Sequence, residues 1–99
     1  MEKGGMSYEK LPFHINKCDD KGNTMLSLAC QNGNEKIAKY LVMKGANTNH
    51  QNTQGQSAAH FCIAYKFFEL GQWLFENGGI DTLENKEGLT PYDGLSAED

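Results

Sequence analysis

The segment GNTML at residues 22–26 returns as GQSAA at 55–59 and as GLTPY at 88–92. Each copy opens with a glycine, places a hydroxyl residue next but one, and continues with small or apolar residues. The glycines lie 33 residues apart, from 22 to 55 and from 55 to 88. A period of this length is typical of stacked supersecondary units that cannot bury their apolar faces alone. The repeat therefore predicts a stacked architecture and favours binding over catalysis as the function.

The first unit is predicted to be a turn followed by two helices. Residues 16–23 are rich in Asn, Asp and Gly, which close tight turns. A helix is predicted over 24–31, with the Thr24 hydroxyl as its N-cap, and Gly33 suits the left-handed conformation that ends it. A second helix is predicted over about 35–44. Its apolar stripe consists of Ile37, Ala38, Leu41 and Val42.

The second unit repeats this register. Ser57 takes the place of Thr24, and helices are predicted over about 58–65 and 68–76. A third unit begins at Asn85 and a preceding one ends near 13–16, so both ends carry partial units. The expected domains are a flexible N-terminal segment at 1–11 and a repeat domain at 12–99, with repeats at about 19–51 and 52–84 and a partial repeat at 85–99.

These residues resemble the ankyrin repeat family, which has a 33-residue period, a β-turn with two helices, and Thr-Pro-Leu-His-x-Ala opening the first helix. The matching segments are TMLSLA at 24–29, SAAHFC at 57–62 and TPYD at 90–93. Downstream, IAKYLVMKGANTN at 37–49 resembles the family's second helix and the turn after it. The resemblance implies an all-α ankyrin-repeat solenoid of about two complete helix-turn-helix repeats, with β-turn or hairpin connections and partial repeats at both ends.

Two residues stand out against this pattern. The motif histidine is present once, as His60, which we expect to form a turn-to-helix hydrogen bond that links neighbouring units. Lys66 stands at the position of Gly33, and a left-handed backbone at Lys costs about 1 kcal/mol relative to Gly. Either the loop at Lys66 changes shape, or the strain is tolerated.

The resemblance also implies a binding surface. In ankyrin repeats the turns form a finger-like layer and the first helices line the concave side, so outward residues at these positions are predicted to contact a protein partner. The residues are Asp20, Lys21, Asn23, Gln51, Thr53, Gln54, Gln56, Lys86, Glu87 and Leu89 in the turns, and Gln31, Asn32, Ala64 and Tyr65 in the first helices. They are interpreted as free of any packing role. The alternative is that they are solvated loop residues without a partner.

An aromatic group forms a second candidate surface. It consists of Tyr40, Trp73 and the run Tyr65-Lys66-Phe67-Phe68. Interface hot spots favour Trp and Tyr, and Phe67 occupies the position of the polar Asn34. The alternative is end packing, which we expect for Phe68 and Trp73, so that both belong to the core of a short array.

No catalytic, cofactor or metal site is predicted. The sequence has no Gly-rich phosphate loop, no nucleophile beside a base and no carboxylate pair on one helix face. His14 and Cys18 make at most half a zinc site, because no second pair has ligand spacing. Cys30 and Cys62 stand in equivalent helices, where a buried, reduced pair is expected. The protein is therefore not expected to be an enzyme.

The net charge and the cysteine content of the chain restrict the class of partner and the cellular compartment that are expected. The 99-residue chain has a net charge of −4, which disfavours nucleic acid as a partner. Its three cysteines show no CxxC spacing, so an intracellular location, cytoplasmic or nuclear, is expected. No apolar run is long enough to span a bilayer, so direct membrane insertion is not expected.

The sequence therefore predicts a protein–protein interaction module, monomeric or part of a longer chain, whose partner it does not identify. The alternative is a structural or spacer segment within a larger protein, which apolar residues at the ends slightly favour. These residues are Leu11, Phe13 and Leu95. The resemblance further implies hydroxylation of the turn residue Asn49, similar to that of asparagines in other ankyrin repeats.

Overall fold

The computed structural model describes residues 15–93, which contain two pairs of helices. Helix α1 spans Met25–Gln31, α2 spans Glu35–Met43, α3 spans Ala58–Ala64 and α4 spans Phe68–Glu76. Residues 91–93 are also helical, and no strand occurs between residues 15 and 93. The all-α prediction is confirmed. The predicted flexible segment at 1–11 lies outside the described residues, as do Phe13, His14 and Leu95.

Hydroxyl residues begin the first helix of each pair. The backbone N–H of Ser27 donates to Thr24 Oγ1 at 3.2 Å, at the start of α1. The backbone N–H of His60 donates to Ser57 Oγ at 3.4 Å, at the start of α3. Both bonds satisfy an amide that has no partner within its helix. The N-cap predicted at Thr24, and its counterpart at Ser57, are therefore confirmed.

The two helices of each pair are connected through a residue in the left-handed conformation. Gly33 has a φ of 68° in the first pair, and Lys66 has a φ of 70° in the second. The loop thus keeps its shape where Lys replaces Gly, so the strain at Lys66 is tolerated. Among residues 15–93, Lys66 is the one residue other than glycine with a positive φ.

The core lies where the two helix pairs meet. Helix α1 packs against both α2 and α3, and α3 packs against α4. The buried apolar residues that form this core include Leu26, Ala29, Cys30, Ala38, Leu41, Ala59, Cys62, Leu70 and Leu74. Cys30 and Cys62 are free thiols without exposed surface. A hydrogen bond with Cys62, together with burial, raises the pKa of the Cys30 thiol, as expected for a reduced pair.

Two residues that were expected to be buried are exposed. Ile37 is 48% exposed, although the equivalent Leu70 is only 3% exposed. Leu70 belongs to the core shared with the first helix pair, whereas no described unit packs against Ile37 from the other side. Phe68 is 45% exposed, because it occupies the position of Glu35, at the solvent-facing start of a second helix. The assignment of Phe68 to the core was therefore wrong.

The turn before each first helix is closed by one carboxylate or amide side chain. Asp19, Asn52 and Asn85 stand 33 residues apart. The Oδ1 atom of each accepts two backbone N–H groups of its own turn, at 2.9 to 3.0 Å. These Asx turns give the three loops one shape. The loops therefore present their tip residues in the same orientation.

Candidate partner-binding surface

The tips of the three turns are joined to one another. The backbone N–H of Thr53 donates to the Lys21 carbonyl at 3.0 Å, and that of Lys86 donates to the Gln54 carbonyl at 3.0 Å. The Thr53 hydroxyl adds a bond to the Lys21 carbonyl at 3.1 Å. The predicted contact residues with exposed side chains along this edge are Asp20, Lys21, Thr53, Gln54, Lys86 and Glu87. The structure thus brings these six residues together.

A groove runs from the first turn onto α1. Its volume is about 470 Å³, and its lining consists of Asp19, Asp20, Lys21, Asn23, Leu28 and Gln31. The groove joins turn residues and a first-helix residue that the sequence assigned to one surface. Asp19 contributes a carboxylate oxygen already engaged by its own turn, whereas Asp20 is exposed and forms no ion pair within residues 15–93.

Asn23 and Gln56 were expected to point outward, and the structure corrects this. Asn23 is only 8% exposed, and its Oδ1 accepts from Asn52 Nδ2 at 2.9 Å. The equivalent Gln56 is partly buried, and its Oε1 accepts from Asn85 Nδ2 at 3.0 Å. These bonds connect neighbouring turns. Both side chains therefore have a structural role that the sequence pattern did not reveal.

Gln51 and Leu89 also carry structural bonds, although they were interpreted as free of packing roles. Gln51 Nε2 donates to the Gly55 carbonyl at 2.9 Å and to the Glu84 carbonyl at 2.7 Å. Leu89 is partly buried, and its carbonyl accepts from His60 Nε2 at 2.9 Å. Their side chains and backbone thus help to stack the units, whether or not they contact a partner.

The predicted first-helix residues lie at the ends of α1 and α3. Gln31 is partly buried, whereas Ala64 and Tyr65 are exposed. Asn32 is exposed as well, but its Nδ2 donates to the Leu28 carbonyl at 3.0 Å. Some of these four side chains therefore make contacts within the fold, whereas the others are exposed.

Sequence reasoning missed two apolar residues on this face. Leu28 is 39% exposed and lines the groove beside Gln31. Its equivalent, Phe61, is partly exposed and stacks on Tyr65, with ring centroids 6.4 Å apart and planes at 12°. Helical spacing could have identified both, because Leu28 precedes Gln31 by three residues and Phe61 precedes Tyr65 by four.

The aromatic group of the second unit continues around the helix-connecting loop. The rings of Tyr65 and Phe67 are 6.5 Å apart, tilted by 59°. Phe67 packs against the core cluster and is partly buried, as is Trp73. Tyr65 is 54% exposed. End packing therefore accounts for part of this group and leaves the side chains of Tyr65 and Phe68 about half exposed.

His60 forms the link between units that the sequence predicts. Its Nε2 donates to the carbonyl of Leu89, in the third turn. Its Nδ1 accepts from the backbone N–H of Ser57 at 3.1 Å. Burial lowers the pKa of the imidazole, partly offset by the bond to the Leu89 carbonyl. The expected structural role of His60 is confirmed.

No cluster of three or more His, Cys, Asp or Glu side chains that could hold a metal ion occurs within residues 15–93. Across the same stretch, no helix is long and apolar enough to cross a membrane. Asn49 is partly buried, with Oδ1 accepting from the Ile80 N–H at 2.8 Å and Nδ2 donating to the Gly78 carbonyl at 2.9 Å. Its hydroxylation stays a prediction.

Several known proteins are similar to this chain. A fowlpox virus protein named for its ankyrin repeats is 30% identical over 79 residues, which are 79% of this chain and 18% of the viral protein. The human SH3 and multiple ankyrin repeat domains protein 2 is 30% identical over 81 residues, or 80% of this chain and 4% of that protein. A Saccharomyces cerevisiae protein named "Probable 26S proteasome regulatory subunit p28" is 32% identical over 75 residues, or 74% of this chain.

The chain spans only a third or less of these three relatives, since the matched part of the yeast protein is 33% of its length. Residues 6–91 match the family model for ankyrin repeats in three copies. Repeats of this family are generally protein-interaction modules and are typically non-catalytic. With this match over most of its length, and with the helix pairs, turns and linking histidine described above, the chain belongs to the ankyrin repeat family.

Proposed function

We propose that this chain is an interaction module that binds a protein partner through its turn tips and the concave face of its first helices. The observation that supports the proposal is the continuous edge of exposed side chains from Asp20 to Glu87, which opens into the groove beside Leu28. Backbone hydrogen bonds between the tips hold this edge in place. Contacts from several units can therefore reach one partner without a large rearrangement.

The composition of this surface also supports binding to protein. The surface combines polar and charged tips with a smaller apolar area formed by Leu28, Phe61 and Tyr65. A polar rim around an apolar centre is the usual anatomy of a protein interface, and tyrosine is favoured at its energetic centre. We infer that Tyr65 contributes most to affinity and that the tips set specificity.

Affinity capture from a cell lysate tests the proposal. The wild-type chain is compared with a Lys21→Ala, Gln54→Ala, Tyr65→Ala variant, which removes side chains from the proposed surface. The matched control is Lys36→Ala, Gln72→Ala, Tyr40→Ala, which removes the same residue types from exposed positions on α2 and α4. We expect proteins captured by wild type to be retained by the control and lost from the first variant. Equal retention by both variants would remove the concave surface from consideration.

A second candidate function is a structural segment that packs within a larger protein. It is favoured by the apolar surface on the first unit, where Met25 is 40% and Ile37 is 48% exposed. The equivalent residues of the second unit, Ala58 and Leu70, are 2% and 3% exposed. The same capture experiment with Ile37→Glu separates the two functions. Loss of the captured protein from this variant, with retention by the tip variant, would favour the structural role.

We further propose repeats at about 19–51 and 52–84 with a partial repeat at 85–99, in a chain that acts inside the cell as a monomer or as part of a longer protein. The identical Asx turns at residues 19, 52 and 85 support these boundaries. The buried free thiols of Cys30 and Cys62 are consistent with a reducing compartment. Limited proteolysis would test the boundaries, because cleavage inside 19–84 under native conditions contradicts a single folded array.

A further inference from the structure

Residues 65–68, which we call the aromatic loop, differ at every position from their equivalents at 32–35. In the first unit these positions serve the fold. Asn32 bonds the Leu28 carbonyl, Gly33 accepts the left-handed conformation, and Asn34 Oδ1 caps α2 by accepting from the Ile37 N–H at 3.2 Å. Glu35 forms an ion pair with Lys39 at 3.6 Å.

The aromatic loop lacks these features. Lys66 adopts the left-handed conformation that favours glycine, and Phe67 provides no side-chain cap for α4. Phe67 has a packing role in return, because its ring lies against the backbone of Gly33. Tyr65 and Phe68 remain about half exposed. The first unit shows that the fold does not need aromatic residues at these two positions.

A pocket of about 230 Å³ opens beside the aromatic loop. Its lining consists of Gly33, Glu35, Lys66, Phe67, Phe68, Glu69 and Leu70. Phe67 and Phe68 supply apolar walls, whereas Leu70 is only 3% exposed. Glu35 is already paired with Lys39, whereas Glu69 forms no ion pair within residues 15–93. The pocket therefore combines an apolar wall, an exposed aromatic ring and an available carboxylate.

Lys39 shows how this protein holds a cation between a carboxylate and an aromatic ring. Lys39 Nζ lies 3.6 Å from Glu35 Oε2 and 5.4 Å from the centroid of the Trp73 ring. One cation thus contacts a carboxylate and an aromatic face together. At the pocket, Phe68 and Glu69 supply an aromatic ring and a carboxylate as consecutive residues of α4, and neither has a cation from residues 15–93 against it.

We propose that this pocket binds a protein segment carrying an arginine next to an aliphatic side chain. The guanidinium lies against the Phe68 ring and pairs with the Glu69 carboxylate, while the aliphatic side chain contacts Phe67. Arginine fits better than lysine because its planar group stacks on aromatic faces and is more weakly hydrated. The net charge of −4 also favours a cationic segment. This site lies at the opposite end of α3 from the turn tips, so it does not depend on the function proposed for them.

Lys66 provides a check on the sign of the charge that the bound segment carries. Lys66 lines the pocket, so its positive charge disfavours a bound guanidinium and favours an acidic segment. Removing the charge of Lys66 should therefore strengthen binding of a basic peptide, and removing that of Glu69 should weaken it. An acidic occupant requires the opposite effect of each substitution.

The experiment is an NMR titration of the ¹⁵N-labelled full chain with N-acetyl-Leu-Arg-Leu-amide. We expect saturable shifts at the amides of 33–35 and 66–70, with binding about twofold to fivefold weaker for the same peptide with citrulline in place of arginine. Glu69→Gln should weaken arginine-peptide binding by about twofold to fivefold, and Lys66→Gln should strengthen it by about twofold. Glu84→Gln, which removes the same charge from an exposed site in the third turn, should leave it unchanged.

Three results would overturn the proposal. The first is equal binding of the arginine and citrulline peptides, or no shift at the pocket. The second is tighter binding of N-acetyl-Leu-Glu-Leu-amide, strengthened by Glu69→Gln and weakened by Lys66→Gln, which identifies an acidic segment instead. The third is concentration-dependent shifts at 66–70 without peptide, which identify a second copy of the chain as the occupant.

Discussion

His60 and Leu89 join the second helix pair to the third turn through a hydrogen bond of 2.9 Å from Nε2 to the carbonyl oxygen. On the other side of the ring, Nδ1 accepts from the Ser57 backbone N–H at 3.1 Å. A carbonyl can only accept and an N–H can only donate, so both bonds require a neutral ring with its proton on Nε2. Protonation of Nδ1 would remove the bond from Ser57. The capping contact between Ser57 and His60 is therefore sensitive to pH, whereas the Nε2 bond to the Leu89 carbonyl in the next unit is kept.

We expect the stability of the chain to fall as the pH is lowered below about 6.5. Burial lowers the pKa of His60 from its ordinary value of 6.5. The unfolded chain therefore binds a proton at a higher pH than the folded chain does. The contribution of His60 to the free energy of unfolding is fully present above pH 6.5. It is lost as the pH falls through the lower pKa that His60 has in the folded state.

Urea unfolding at several pH values between 7.5 and 5.5 measures this effect. In His60→Gln the dependence on pH should be smaller than in wild type, whereas His50→Gln is a control of equal chemistry in a different turn. An unchanged pH slope in His60→Gln would show that another group is responsible.

Gly55→Ala should destabilise the chain more than Gly88→Ala. Both glycines have a φ of 78°, so both substitutions carry the same backbone cost. A Cβ at Gly55 would lie 2.6 Å from the backbone nitrogen of Lys86, whereas one at Gly88 would meet no atom of residues 15–93 within 4 Å. We expect an additional loss of about 1–3 kcal/mol for Gly55→Ala, from the forced separation of the turns. Equal free energies of unfolding for the two variants would contradict this close approach.

Leu41→Ala and Leu74→Ala should each lower the free energy of unfolding by about 2–5 kcal/mol. Both side chains are buried in the core, at 4% and 1% exposure. A short repeat array has little stability to spare, so we expect both variants to be unfolded at room temperature. Gln54→Ala, at an exposed tip, should change stability by less than about 0.5 kcal/mol. Circular dichroism during thermal unfolding provides the measurement, and a cooperatively folded Leu41→Ala would refute the assignment of the core.

Lys66→Gly should stabilise the chain by about 0.5–1 kcal/mol. The left-handed conformation costs a residue with a side chain about 1–2 kcal/mol, and this relief exceeds the additional chain entropy that glycine loses on folding. Gly33→Ala, at the same position of the first unit, should destabilise, because its φ is 68° and a Cβ would lie 2.6 Å from the Phe67 ring. Midpoints of urea unfolding compare the two. A loss of stability in Lys66→Gly would mean that the side chain of Lys66 supports the fold.

Local features of this protein could be predicted because they depend on short segments. The hydroxyl groups of Thr24 and Ser57 cap helices whose first turns follow them directly in the chain. The left-handed conformation could be predicted at Gly33, whereas at Lys66, the equivalent residue of the second unit, the sequence left open whether the loop would keep this shape. His60 could be assigned to a link between units because the family resemblance supplied its role.

The binding surface was less predictable, because side-chain partners lie in other units. In the sequence Asn23 has the character of an ordinary turn residue, yet Asn52, 29 positions away, holds its side chain in the interior. Leu28 and Phe61 are apolar residues of the kind that usually forms a core. Their surfaces stay accessible because of the way the helices pack, which the sequence does not show. Apolar residues on a first helix can face either the core or the solvent, and the position of the neighbouring helices decides which.

The amino-acid sequence alone determined the repeat period, the type of each element and the positions of the turns, because backbone preferences and hydrophobic periodicity act over a few residues. The tertiary structure decided which side chains are available to a partner. Ile37 and Leu70 show the difference most directly, since they are aliphatic residues at one register position, exposed at 48% and 3%. Burial depends on whether a neighbouring unit packs against the helix, and that contact is absent from any local pattern of the sequence.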